Sequence, residues 1–158
     1  MAKQSTDNAT TRGAECRSLA EACCKAANAR LTPARLAAYT ALVESDRPLS
    51  AYELIAVLEK RESRKIAPLT VYRHLDFLTN VGLVHRLEST QSYVPCNHPQ
   101  DQHESQYFLC STCGAVDEVG SRRLESLLSE LAEKHGFSTT SAVVEMTGVC
   151  KRCGDSVQ

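Results

Sequence analysis

The chain has 158 residues, 42% of them hydrophobic, enough for one ordinary core or two small ones. No run approaches the roughly 18 to 20 apolar residues of a bilayer-crossing helix, and Met1 to Thr11 is polar, so a cytoplasmic location without membrane partners is expected. The formal net charge of −1 is unevenly spread. Residues 1–95 carry 13 Lys/Arg against 10 Asp/Glu, a net of +3, and residues 96–158 carry 5 against 9, a net of −4. A front half that meets a polyanion and a back half that draws cations would be charged this way, although a solvated mixed surface gives the same balance.

Residues 1–13, rich in Ser, Thr and Asn, are expected to be disordered. A helix is predicted over Ala14 to Ala29, with Leu19, Cys23 and Ala27 at helical spacing. Thr32-Pro33 reads as the cap and first position of the next helix, which Arg47-Pro48-Leu49 breaks. Ser50-Ala51-Tyr52-Glu53 is a capping box that opens a third helix through Leu58. A basic connector, Lys60 to Lys65, leads to a fourth helix near Pro68. That helix places Val71, Leu75 and Leu78 on one face, offers Tyr72, Arg73, Asp76 and Thr79 on the other, and stops at Gly82.

Beyond Gly82 the period shortens. Leu83 to Glu88 and Ser92 to Val94 read as two strands around a turn at Ser89-Thr90-Gln91. Short helices followed by such a hairpin read as a winged helix over 14–94, whose last helix would lie in a DNA major groove, although an inert helical subdomain with a β flap gives the same pattern. Residues 95–105 form a polar hinge, and 106–158 a second domain. Strands at Gln106 to Leu109, Ala115 to Val119 and Ala142 to Val149 surround a helix capped by Ser121 and ended by Gly136. The expected fold class is α+β: a winged helix-turn-helix domain joined to a small α/β domain.

Eight cysteines are many for a reducing compartment, and regular spacing there points to metal before disulfides. Cys110-Ser-Thr-Cys113 and Cys150-Lys-Arg-Cys153 are two C-x-x-C units, each expected at a strand end. Together they supply four thiolates for a closed tetrahedral site, which suits structural zinc. A dithiol redox protein is the rival reading. It calls for a C-x-x-C at a helix N-terminus.

A second, mixed constellation gathers at the hinge and its edges: His85, Cys96, His98, Asp101, His103, Glu104, Asp117 and Glu118. Nitrogen, sulfur and oxygen donors together make a weaker, more exchangeable site of the kind a sensor needs; taken singly, each residue also fits a solvated surface. On the fourth helix Arg73 can grip a guanine edge, while Thr70 and Tyr72 can touch phosphate or a thymine methyl. Tyr52 and the Arg61, Arg64, Lys65 cluster can hold the backbone. No catalytic triad, phosphate-binding loop or zinc-protease helix is present in the sequence, so neither an enzyme nor a small organic substrate is expected.

Arg30-Leu31-Thr32-Pro33-Ala34-Arg35, Ser50-Ala51-Tyr52, Thr70-Val71-Tyr72-Arg73-His74-Leu75 and the two C-x-x-C units, in this order, resemble the ferric uptake regulator superfamily over residues 16–154. Within it, Asp76-Phe77-Leu78, Val84-His85, Glu88-Ser89-Thr90 and Ser92-Tyr93-Val94 followed by Cys96 are similar to the zinc uptake regulators. The resemblance implies a structural zinc on Cys110, Cys113, Cys150 and Cys153. It also implies a regulatory zinc on His85, Cys96, His103 and Glu118, so two Zn2+ per chain, with His98 as a possible substitute for His103. Tyr52 and Arg73 match positions that contact DNA. The implied function is a zinc-responsive transcriptional repressor that binds pseudo-palindromic operators of zinc-uptake genes as a homodimer. An iron- or peroxide-sensing regulator is the alternative. The His-rich run of iron and peroxide sensors is sparser here, and the Cys96 thiolate favours zinc over harder ferrous or manganous ions.

Overall fold

The computed structural model describes residues 4–99, 105–140 and 142–155. The chain divides into two compact units, Met1–Gln100 and Asp101–Gln158. Each is α+β.

The first unit contains helices α1 (Gln4–Ala26), α2 (Pro33–Val43), α3 (Ala51–Glu62) and α4 (Pro68–Asn80). Strand β1 (Leu49–Ser50) lies between α2 and α3, and strands β2 (Val84–Leu87) and β3 (Ser92–Pro95) follow α4. The sheet order is β1-β3-β2, antiparallel throughout. This is a winged helix-turn-helix unit, with α3 and α4 as the helix pair and β2–β3 as the wing.

Local chemistry sets the helix starts. The Thr32 hydroxyl accepts the Arg35 N–H at 3.4 Å, and Pro33 sits at the first turn of α2. At α3 the box is closed on both sides: Ser50 Oγ accepts the Glu53 N–H at 3.3 Å and Glu53 accepts the Ser50 N–H at 2.8 Å. Helix α4 ends at Gly82, whose φ of +74° is the left-handed conformation a side chain disfavours, and the Leu83 N–H reaches back to the Leu78 carbonyl at 2.9 Å. The core of the unit lies between these elements, with Tyr39, Leu42, Leu54, Val71, Leu75 and Leu78 at most 2% exposed.

Two elements differ from the sequence-based expectation. Helix α1 begins at Gln4, where composition predicts disorder through residue 13. No proline interrupts residues 4–26, and once Ala20, Cys23 and Cys24 are fixed by burial, each preceding residue joins by propagation, without a second nucleation cost. Strand β1 occupies the stretch read only as a helix break. Two residues form a strand there because β3 supplies the partner, Leu49 opposite Tyr93 and Ser50 opposite Ser92.

The second unit contains strands β4 (Ser105–Cys110), β5 (Val116–Val119) and β6 (Val143–Gly148), helix α5 (Arg122–Lys134) and one short turn of helix, α6 (Lys151–Gly154). The central strand β4 pairs antiparallel with β5 and parallel with β6. Ser121 caps α5 through the Leu124 N–H at 3.3 Å. Buried side chains here are few. Among the described residues only Gln106, Tyr107, Leu109 and Cys110, all on β4, are buried, and α5 has none. No described helix is long and apolar enough to cross a membrane.

Candidate metal centres and nucleic-acid face

Cys110 ends β4 and Cys113 lies in the turn that follows. Because β6 runs parallel to β4 with Gly148 opposite Cys110, the chain leaves both strands at the same end of the sheet. Cys150, two residues past Gly148, therefore arrives beside Cys110, and Cys153 follows within α6. The four sulfurs lie within 4.8 Å of one another, and Cys113 Sγ stands 3.8 Å from Cys150 Sγ. A tetrahedron of sulfurs around zinc, with Zn–S near 2.3 Å, has edges of about 3.8 Å. The donor set fits the ion.

The electrostatics agree with the geometry. Backbone N–H groups, first that of Cys150 at 3.3 Å and then that of Cys113, hold the Cys110 thiol down to about 5. The Cys113 thiol is lowered by the Ala115 N–H and by Arg152. The Cys153 thiol is pushed up to about 12, first by the neighbouring Cys113 and then by Cys150. Four thiols this close cannot all ionise against their mutual repulsion unless a cation sits among them. Such a set is chemically complete only around a divalent ion.

One sequence-based expectation needs correcting. Cys150 is not simply at a strand end but is the N-cap residue of α6, so a C-x-x-C does open a helix. What separates the site from a redox dithiol is the second pair. All four sulfurs converge at metal-ligand spacing, whereas thiol exchange needs one isolated pair.

The wing carries a second set of donors. In the β2–β3 register His85 faces Val94, so Cys96, two residues on, emerges on the same face as His85. The Cys96 N–H bonds to the Leu83 carbonyl at 2.9 Å, and a ring nitrogen of His85 lies within 4.8 Å of the Cys96 sulfur. Cys96 is buried, His85 half-buried and His98 exposed. Glu118 belongs to the other unit, on β5 opposite Tyr107, with Asp117 its exposed neighbour. His103, Asp101 and Glu104 lie outside the described residues.

Helix α4 buries Val71, Leu75 and Leu78 and exposes Thr70, Tyr72, Arg73, Asp76 and Thr79, as the 3.6-residue period requires. Tyr52, on α3, is 71% exposed. Arg61 is engaged with Glu44 at 2.7 Å and Lys65 with Glu59 at 3.0 Å, so part of the basic connector serves the fold. Sequence reading passed over Leu69, which is 62% exposed one residue before Thr70; the helical period alone does not reveal it, because it precedes the first buried position. It also passed over Arg152, whose Nη2 lies 3.6 Å from Cys113 Sγ.

The ferric uptake regulator family profile matches residues 26–147. The chain belongs to the ferric uptake regulator family. It is 42% identical over 135 residues to a zinc uptake regulation protein of Escherichia coli (strain K12), across 85% of this chain and 78% of that protein. A zinc uptake regulation protein of Mycobacterium tuberculosis (strain ATCC 25618 / H37Rv) is 36% identical over 131 residues, across 81% and 97% of the two chains. Among solved structures, a zinc uptake regulator complexed with zinc and DNA is 40% identical with a TM-score of 0.87, covering 92% of this chain and 97% of that one.

Proposed function

We propose that this chain is a cytoplasmic zinc-responsive repressor, a regulator rather than an enzyme, which binds pseudo-palindromic operators of zinc-uptake genes as a zinc-loaded homodimer. The observation that carries this reading is the pairing of His85 with Cys96 at the base of the wing. A nitrogen and a thiolate donor stand in the same unit that offers Tyr52, Thr70, Tyr72 and Arg73 to solvent on its helix pair. Imidazole and thiolate together select zinc over ferrous iron, which disfavours the iron-sensing alternative. Three relatives and neighbours with zinc in their names or titles point the same way.

In this reading Cys110, Cys113, Cys150 and Cys153 hold a structural zinc that closes the end of the β4–β6 sheet. His85, Cys96, Glu118 and His103 hold the regulatory zinc, with His98 the substitute should His103 not serve. Donors drawn from 14–94, from the 95–105 hinge and from 106–158 would tie the hinge only when the ion is bound. Zinc then lowers the conformational entropy that DNA binding must otherwise remove, so zinc and operator favour each other reciprocally. Thr70, Tyr72 and Arg73 enter the major groove and Tyr52 steadies the backbone. The second copy covers the apolar surface of the second unit, where Phe108 and Met146 are register partners on adjacent strands and Leu127 and Leu131 stand one turn apart on α5, all exposed.

Fluorescence anisotropy on operator DNA, with zinc and then with a strong chelator, tests the proposal. Binding should require micromolar zinc, and Cys96→Ser should leave a folded dimer whose DNA affinity ignores zinc. Equal binding in chelator, or a normal zinc response in Cys96→Ser, overturns it.

A further inference from the structure

A zinc ion held by four thiolates carries a net charge of −2, and that charge must be offset by donors aimed at the sulfurs. The four sulfurs are not equally placed to receive them. Cys110 is buried and accepts the backbone N–H of Cys150 at 3.3 Å. Cys113 is the exposed member of the set, the sulfur that an incoming chelator or electrophile reaches first. Its side-chain donor is Arg152, Nη2 to Sγ 3.6 Å, reaching across from the opposite knuckle. Between Cys150 and Cys153 the chain carries two cations, Lys151 and Arg152. Only the second makes a hydrogen bond to a sulfur among the described residues.

We infer that Arg152 is a positioning residue of the four-cysteine centre: its guanidinium offsets the charge of the thiolate cluster and keeps Cys113, the ligand most open to solvent, in the coordination shell. The inference rests on the structural zinc of the proposed function. Arg152 brings a permanent charge and a planar donor that lysine lacks. Because it lies on one knuckle and reaches the other, it also braces the two C-x-x-C units against each other independently of the metal. Loss of Cys113 from the ion is the natural first step of zinc release, so Arg152 sets the rate of that step and the order in which the sulfurs become reactive.

The test uses the full-length, zinc-loaded protein. Zinc transfer to a chromogenic chelator is followed in time, and the phase belonging to this centre is identified as the one that remains in Cys96→Ser. In parallel, brief treatment with N-ethylmaleimide followed by peptide mass analysis reports which cysteine is alkylated first. Arg152→Gln should speed that phase about tenfold, the scale expected for a lost outer-shell partner, and should advance the alkylation of Cys113 over Cys110. Arg152→Lys should restore part of the retention, and Lys151→Gln should stay near the wild-type rate. The alkylation order separates positioning from a general loss of stability, which would expose all four cysteines together. An Arg152→Gln protein with the wild-type release rate and alkylation order overturns the inference. A wild-type protein with no zinc on these cysteines overturns the structural-zinc reading as well, so the two failures are distinguishable.

Discussion

Removing one thiolate from the four-cysteine centre should unfold the second unit and leave the first standing. The second unit spans Asp101–Gln158, yet among the described residues its buried apolar side chains are confined to β4, with Tyr107 and Leu109 the only large ones. Burying two such side chains is worth about 3 to 6 kcal/mol, while domains near 60 residues are marginal even with fuller cores. A metal ion on the four cysteines would join Cys113 to Cys150 across 37 residues. Treated as a chain cross-link, a closed loop of that length disfavours the unfolded state by about 4 kcal/mol, comparable to the burial of those two side chains within the chain. Cys113→Ser should therefore abolish the cooperative melting of residues 101–158. The first unit, with its own core between α2, α3, α4 and the wing, should keep a separate transition. Amide hydrogen exchange read by mass spectrometry resolves the two units directly. Retained protection on β4 and β6 in Cys113→Ser, with this centre's zinc absent from the protein, would refute the reasoning.

Three further outcomes follow from named contacts. Arg73→Ala should cost about 1 to 3 kcal/mol at one base pair of the operator, read as lost discrimination in competition binding; equal loss on every sequence would make Arg73 a phosphate contact. Leu75→Ala, at a fully buried position of α4, should lower the stability of the first unit by about 2 to 5 kcal/mol in chemical denaturation, and a value under 1 would mean the site collapses around the gap. The Glu53 carboxyl is held down to about 2 from 4.5, first by the Arg47 guanidinium at 2.6 Å and then by the Ser50 hydroxyl and N–H. Its folded value lies below the unfolded one, so its contribution is complete above pH 4.5 and disappears as pH falls toward 2. With the side chain 41% exposed, solvent screening keeps that contribution below about 1 kcal/mol. Glu53→Ala should thus destabilise at pH 7, with the difference from wild type shrinking in acid; a pH-independent difference would assign the effect to helix propensity.

What was legible in the sequence was local. Thr32-Pro33, the Ser50–Glu53 box, Gly82 and the caps of α5 all act within five residues, and the structure places each as its spacing predicts. The C-x-x-C units were legible for the same reason, since the chemistry resides in the spacing. Features made by partners from elsewhere in the chain were not. Strand β1 exists because Tyr93 and Ser92 pair with it, and Leu49-Pro48 carries no period of its own. The Cys150 cap depends on where β6 stops, which nothing in Lys151-Arg152 announces. The bond from Arg152 to Cys113 spans 39 residues, and in sequence the arginine reads as an ordinary surface cation. For His85 and Cys96 the donor chemistry was legible in the sequence, and what the hairpin register adds is their common face.

The same-direction alignment of β4 with β6 has a consequence for how the second unit tolerates change. Since both strands finish at one end, the two knuckles meet whatever the length of the route that brings the chain back through α5. Residues 137–140, between α5 and β6, are exposed and can accept added residues without moving a single thiolate. A deletion or insertion of one residue between Gly148 and Cys150 has no such freedom: it rotates the second pair away from the first and dismantles the centre from a position that touches no ion.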